Sequence, residues 1–507
     1  MLSRRDLFSA ALALSAANSL PVRASTKSAT DPFRLGIASG EPTPDGIVLW
    51  TRLAPEPFQP GGGLPNANIP VRWQISHDES FRHLARSGAA MATPMLAHSV
   101  HVELTGLRPD RWYWYRFQAL GHRSQVGRFK TAPAPAATPA RLRLAFASCQ
   151  QWTQGLFTAY QHLAAEDLDL VLHLGDYIYE QGYRGGVRPD GQSETFSLND
   201  YRARHALYKS DPLLQLAHAR FPWMVTWDDH EVSNNYAADI HEKGQPRAEF
   251  LERRASAYQA YYEHMPLRLL ARPQGSRMLL HRRLDFGRLA RIHMLDTRQH
   301  RTDQPCGDGL KTACSDLNNP AQTLLGPVQE AWLRDGLHSS SAIWDVLAQQ
   351  VLMTLQDFDP SASAEVFNMD SWSGYPLARQ RIVDLLAARA KANTIVLTGD
   401  VHSSWVGQLH TEPQDISSPC VAAEFVGTSI SSGGDGFDTH ERVERMLPAN
   451  PQIRYFHARR GYVRCDITPT LWRVDYRIVP FVTRPGAPVT THASFAVTPG
   501  HLIVEKA

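Results

Sequence analysis

The sequence predicts an α/β protein, a mixed sheet flanked by helices on both faces, with an all-β domain in front of it. From about residue 141, short apolar runs such as LDLVLHLG and NTIVLTG alternate with stretches of helical periodicity. That is the pattern of strands buried on both faces of a sheet. Residues 33–132 instead alternate apolar and polar side chains between Gly and Pro turns, as the strands of a sandwich do. A third observation concerns the residues at the ends of the apolar runs. LRLAFAS leads into Cys149, LDLVLHLG into Asp176 with Tyr179 three residues on, WMVTW into Asp228, Asp229, His230 and Glu231, and NTIVLTG into Asp400 and His402. Ligands of open α/β sheets collect beyond the carboxyl ends of the strands. A thiol, a phenol, several carboxylates and two imidazoles are thus directed to one region, a cluster that like-charge repulsion makes costly unless cations fill it.

In chain order, the first feature is Ser3-Arg4-Arg5-Asp6-Leu7-Phe8, followed by the weakly apolar SAALALSAANSLPV and the small-residue signal Val22-Arg23-Ala24. Residues 1–24 read as a twin-arginine signal peptide, which sends an already folded protein through the twin-arginine export machinery to the periplasm or the medium. Domain 33–132 contains the strands Gly46–Thr51, Val71–Ile75, Ser99–Leu104 and Trp112–Phe117, and Leu107-Arg108-Pro109-Asp110 resembles a turn of fibronectin type III-like sandwiches. Ala132–Ala140, rich in Ala and Pro, reads as a linker. Residues 141–507 form the α/β domain with a C-terminal β extension. Its expected helices are Leu156–Glu166, Tyr201–Ala219, Ala248–Tyr262, Pro327–Leu337 and Leu377–Lys391, and further strands lie at Arg291–Leu295, Ala342–Met353 and within 462–504. Pro327 suits a first helical turn. Tyr258, Tyr261 and Tyr262 are spaced as core residues of a helix, and His173 sits inside a strand as a core histidine.

The 507 residues suffice for two or three domains. A net charge of +2 without a basic run gives no sign of nucleic-acid-specific binding. No stretch reaches the roughly 18 to 20 apolar residues of a stable membrane span. Five cysteines leave at least one thiol without an internal partner. Cys306 and Cys314 could close their short loop, Cys420 and Cys465 could pair, and Cys149 at a strand end is the candidate metal-bound thiolate.

Leu174-Gly175-Asp176-Tyr177-Ile178-Tyr179, Trp227-Asp228-Asp229-His230-Glu231 and Thr398-Gly399-Asp400-Val401-His402 together resemble the motifs of the PhoD-type alkaline phosphatases. These belong to the calcineurin-like metallophosphoesterases and are related to the purple acid phosphatases. Arg34–Pro42, Leu295–Gln299 and Phe425–Ser432 extend the likeness along nearly the whole chain. The resemblance implies Asp176 as a ligand bridging two cations, His230 as the catalytic histidine, and Fe³⁺ with Ca²⁺ as cofactors. Read on their own chemistry, Cys149, Asp176, Tyr179 and His402 offer a donor set that suits ferric iron better than magnesium. Asp229 and Asp400 stand where the wider superfamily carries Asn and His, a change toward oxygen-preferring ions such as Ca²⁺.

Asp228 fits a cap as well as a ligand, and Asn234 and Asn235 fit loop shaping. Arg298, after Asp296, fits either a substrate phosphate contact or an ion pair; Gln350 is a polar residue in a buried run. The expected activity is hydrolysis of phosphate monoesters or diesters by a metal-activated water. The alternatives are a phospholipase D-like phosphodiesterase on the same site and a non-enzymatic exported binding or adhesion module.

Overall fold

In a computed structural model, the chain is described over residues 28–183, 185–191, 193–361 and 364–507. The leader, residues 1–24, lies outside the described residues. Strands β1 (Ile37–Thr43), β2 (Gly46–Arg52) and β5 (Ser99–Leu104) make one antiparallel layer of the N-terminal sandwich. The other layer holds β3 (Ile69–Ser76), β4 (Leu84–Ala92), β6 (Trp112–Ala119), β7 (His122–Arg123) and β8 (Gly127–Lys130). Tyr113, Tyr115 and Phe117 alternate inward along β6 and pack on Ile37, Leu49 and Val102 of the facing layer.

This sandwich shares hydrogen bonds with the first sheet of the α/β part. β1 runs parallel to β11 (Pro222–Thr226), with Ser39 opposite Pro222 and Gly40 opposite Trp223. Gly40 permits the approach, because a Cβ there would lie 2.6 Å from the Pro266 carbonyl oxygen and 2.7 Å from that of Trp223.

The α/β part consists of two mixed sheets packed face to face. In the first, β11 is followed by parallel β10 (Leu170–Leu174) and β9 (Leu142–Ala147). Antiparallel β21 (Ile453–Ile467), β22 (Trp472–Val479), β23 (Thr490–Thr498) and β24 (His501–Lys506) complete it. The second sheet holds β12 (Arg282–Phe286) and then the parallel strands β13 (Ala290–Met294), β15 (Trp344–Gln349), β17 (Thr394–Thr398) and β19 (Cys420–Val426), with β18 (Ser404–His410) antiparallel at its end. The first half of β21 pairs with β18 and its second half with β9, so one strand belongs to both sheets.

Leu144, Phe146, Leu172 and Met224 of the first sheet meet Ile292, Val346, Leu397 and Phe425 of the second in one core. Each such side chain contributes about 1.5–3 kcal/mol by leaving water. Two short pairings, β14 (Leu310–Thr312) with β16 (Val366–Asn368) and β20 (Gly436–Phe437) with β21, lie at the periphery.

Helices α1 (Thr158–Ala165), α2 (Leu198–Lys209), α3 (Pro212–Arg220) and α4 (Arg247–His264) cover the first sheet with an aromatic layer that includes Tyr258, Tyr261 and Tyr262. Helices α5 (Gly326–His338) and α6 (Pro376–Ala387) cover the second, and α7 (Glu441–Met446) is a single short helix. The one helix expected over Tyr201–Ala219 is two. Pro212 has no N–H to continue α2, and the Asp211 side chain accepts from the Leu213 and Leu214 amides to begin α3. Cys306 and Cys314 form a disulfide, whereas Cys149, Cys420 and Cys465 are free. Cys465 faces the core from β21, while the Cys420 sulfur rests on the Ala422 and Leu502 carbonyls.

Candidate metal centre

Cys149, Asp176, Asp228 and Asp400 are each the second residue beyond a strand, after β9, β10, β11 and β17 respectively. Since β9, β10 and β11 are adjacent and parallel, their ends stand about 4.8 Å apart, and the residues beyond them converge. Four of the convergent side chains sit on backbone in the left-handed region: Cys149 (φ 58°), Asp176 (φ 57°), Asp400 (φ 62°) and His402 (φ 54°). Non-glycine residues hold that conformation at a cost of order 1–3 kcal/mol each, and such strain concentrates at functional sites.

Glu231 fixes the loops from below. Its carboxylate accepts from the amides of Asp176 (3.2 Å), Tyr177 (2.5 Å) and Asp228 (2.8 Å).

Three overlapping groups bring one donor atom from each member within 4.8 Å of the others: Cys149 with Asp176 and His402, Asp176 with Asp229 and His230, and Asp228 with Asp229 and Asp400. Tyr179 joins the first, its hydroxyl 2.9 Å from Asp176 Oδ2, 3.1 Å from His402 Nε2 and 2.7 Å from Ser432 Oγ. All six expected ligands, Cys149, Asp176, Tyr179, Asp229, Asp400 and His402, therefore lie together, with Asp228 and His230 among them.

The electrostatics of the chain alone are unbalanced. Burial, reinforced by neighbouring carboxylates, pushes Asp176 and Asp400 well above the ordinary carboxyl range, and burial lifts Asp228 to about 6 against the pull of Arg298. Asp229 goes the other way: burial opposes its charge, but Arg298 and His230 hold it at about 2. Burial, then Asp176, raises the Cys149 thiol. Burial, then Arg460, lowers His402 to about 3. Asp176 Oδ1 and Asp228 Oδ2 are buried without a hydrogen-bond partner among the described residues. Buried carboxylate oxygens are normally satisfied, and a bound cation would satisfy these two. Carboxylates, a thiol, a phenol and an imidazole form a donor set that fits metal ions.

His230 donates through Nδ1 to Glu180 Oε2 at 2.7 Å, and Glu180 accepts a second bond from the Asn234 amide at 2.9 Å. Burial works against its charge, yet Glu180, Asp229 and Asp176 together hold the imidazole protonated well above its ordinary range. Sequence reasoning does not single out Glu180; its only local signal is adjacency to Tyr179.

Arg298 does not reach open space. It is fully buried, and its guanidinium binds Asp228 through Nε, Asp370 through two bonds of 2.8 Å, and Asp229 at 3.5 Å. Of the two readings open to Arg298, a substrate phosphate contact or an ion pair, these contacts describe the ion pair. Gln350 ties β11, β13 and the Thr297 turn together through Thr226, Leu295 and Thr297. Asn235, at φ 47°, shapes its loop by donating its amide to Asp229 Oδ2 at 2.7 Å. His173 packs on Trp223 in the core.

Beside His402 opens a cavity of about 450 Å³, walled by Trp405, Phe437, Phe456 and Leu310 and holding the cations Arg442 and Arg460. Leu310 belongs to the disulfide-closed loop, whose Asp308 accepts from the Asn235 side chain at 2.8 Å. Arg460, another residue without a signal in the sequence, donates to the His402 carbonyl at 2.8 Å.

Residues 144–476 match the family model of the PhoD-like phosphatases, and residues 16–133 match that of the PhoD-like phosphatase N-terminal domain. Over 480 residues the chain is 52% identical to alkaline phosphatase D of Bacillus subtilis (strain 168), an alignment covering 94% of this chain and 82% of that protein. The solved structure of PhoD superposes with a TM-score of 0.93 at 50% identity, covering 95% of this chain and 93% of the other.

Proposed function

Because the chain belongs to the PhoD-like phosphatase family and is accordingly a phosphohydrolase, we propose that it cleaves phosphate monoesters and diesters at the strand-end cluster, with Fe³⁺ and Ca²⁺ as resident ions. The observation that carries this reading is the convergence of Asp176, Asp228, Asp229 and Asp400 with two carboxylate oxygens left unpartnered. Bound cations supply Lewis acidity toward phosphoryl oxygens and lower the pKa of water at the site.

The remaining work falls to the chain. Cys149 and Tyr179 contribute the thiolate and phenolate that favour a ferric ion, and Asp229 and Asp400 the oxygens that favour calcium. With Nδ1 engaged by Glu180, His230 has Nε2 free to offset charge on the phosphoryl group or to pass a proton to the leaving oxygen. Glu231 keeps three loop amides in place. The cavity walled by Trp405, Phe437 and Phe456 accommodates the organic part of the ester and excludes water from it.

The test is turnover of nitrophenyl phosphate, its bis-ester and a phospholipid at alkaline pH by metal-loaded protein, with and without chelator. Hydrolysis that chelation abolishes is expected, and the relative rates rank monoester, diester and lipid. A metal-replete sample inert on all three overturns the proposal. Elemental analysis with a visible spectrum addresses the ions: thiolate or phenolate on ferric iron absorbs strongly, and an active, colourless, iron-free enzyme removes iron from the scheme. Export by the twin-arginine route, to the periplasm or the medium, rests on the Arg4-Arg5 leader. The double change Arg4→Lys and Arg5→Lys is expected to retain the protein in the cytoplasm, and undiminished export of that variant would refute the route.

A further inference from the structure

Two adjoining cavities lie apart from the metal cluster, where the segment between α4 and β12 crosses the N-terminus of α5. The larger, about 660 Å³, is lined by Arg254, Arg272, Arg277, His281 and His300 and by no Asp or Glu. Arg254 is only 6% exposed; its Nη1 donates to the Ala238 carbonyl, but its Nε is buried without a partner among the described residues. Arg272 and Arg277 stand exposed around it. The thirteen-residue helix α5 begins in the same cavity with Val328 and Gln329. Its first amide, Gly326, donates to Thr323 Oγ1 at 2.9 Å, Pro327 has no N–H, and no side chain among the described residues accepts from the amides of Val328 and Gln329. Helix amides without a side-chain acceptor, beside a buried guanidinium with an unpartnered nitrogen, favour an anion, and planar N–H groups of arginine suit phosphate.

The smaller cavity, about 350 Å³, shares Leu270, Leu279 and His281 with the first, and Pro42, Met224, Leu284 and Trp332 make it largely apolar. Its charged members are already engaged: Glu41 with Arg282 and Arg268, and Arg283 with His293 and the Trp332 carbonyl. Leu270 and Leu279 are exposed at the junction, and Val328 is exposed in the larger cavity. One half of the trough is thus cationic with a guanidinium nitrogen unsatisfied, and the other is largely apolar with its charged side chains engaged by protein groups.

We propose that the two cavities form a binding site for a phosphate-bearing amphiphile. The phosphate lies against Arg254, Arg277 and the start of α5, and the alkyl chain runs past Leu279 to Trp332. The site is independent of the catalytic reading, since none of its residues belongs to the metal cluster.

Calorimetric titration of the metal-loaded enzyme with decylphosphonate and methylphosphonate, whose C–P bonds resist phosphate-ester hydrolysis, tests it. The wild type is expected to show a binding site beyond any at the metal centre, with the decyl ligand at least about tenfold tighter there, because burying several methylenes supplies that much. Arg277→Glu should abolish this site for both ligands, and Leu279→Glu should reduce decylphosphonate to the level of methylphosphonate. Both positions are exposed, and turnover of nitrophenyl phosphate should be unaltered. Equal affinities of the two ligands in the wild type, a single class of sites, or unchanged titration of the variants would overturn the proposal. So would a loss of binding accompanied by an equal loss of turnover, which would place the ligand at the metal centre.

Discussion

Among the buried ionisable side chains of strand β10 and the turn after it, His173 and Asp176 stand three residues apart and in opposite circumstances. Both ring nitrogens of His173 lack a hydrogen-bond partner among the described residues, and the ring stacks on Trp223. Around it lie other basic groups: Lys209 and His218 bear on it electrostatically, and His205 lies against the same Tyr177. Burial and these neighbours keep the group uncharged. An imidazole can accept that state, since its neutral ring packs as an aromatic. Asp176 also has an unpartnered atom, but its company is carboxylates, a thiol, a phenol and imidazoles with donor atoms within hydrogen-bonding or metal-ligating reach. Burial of a titratable group is therefore not the mark of a site. The mark is several donors of one sign, on strained strand ends, with atoms left over.

The largest effect should come from Asp176→Asn. Turnover should disappear, while the metal-free protein should become more stable by about 1–3 kcal/mol, because the amide replaces a carboxyl whose folded-state pKa burial raises well above its unfolded value. Denaturant melts in chelator read this, and a metal-free variant less stable than the parent would break the comparison. Next comes His230→Ala, expected to lower kcat by about 10²–10⁴-fold, as for loss of a general acid. Glu180→Gln should lower kcat less and leave KM unchanged if Glu180 only positions His230, and steady-state kinetics separate the two.

On the basic side, folded His173 takes up a proton only near pH 3, against an ordinary value of 6.5. Between those values the unfolded chain binds the extra proton, so stability rises with pH and is lost on acidification, by up to about 1.4 kcal/mol per pH unit for each such histidine. His173→Leu should flatten this acid limb in melts recorded across the window, and identical slopes would refute the assignment. The smallest effect belongs to Cys420→Ser, at most about 0.5 kcal/mol and without change in activity. Cys149→Ser, by contrast, should deplete bound metal on elemental analysis.

Much of the fold and of the site is legible in the sequence because the decisive signals are local. An apolar run ending in Asp, or Asp followed three residues later by Tyr, needs no knowledge of the partner. The sandwich and the order of strands and helices are equally readable from periodicity. The features that escape the sequence are long-range. Asp370, which pairs with Arg298, lies 72 positions away on a loop without periodic pattern. Arg460 reaches the His402 carbonyl from β21, 58 positions on. The break at Asp211-Pro212 has a local signal that continuous helical periodicity masks: a proline after a capping residue outweighs the period.

The double membership of β21 has a consequence for biogenesis. Phe146 beside Cys149, and Ser404 beside His402, are both registered against this one strand, through Val463 and His457. The two halves of the candidate metal centre are therefore clamped together by residues that lie C-terminal to every one of its ligands. A nascent polypeptide can carry every ligand and still have no site, because the strand that joins the two halves is translated after all of them.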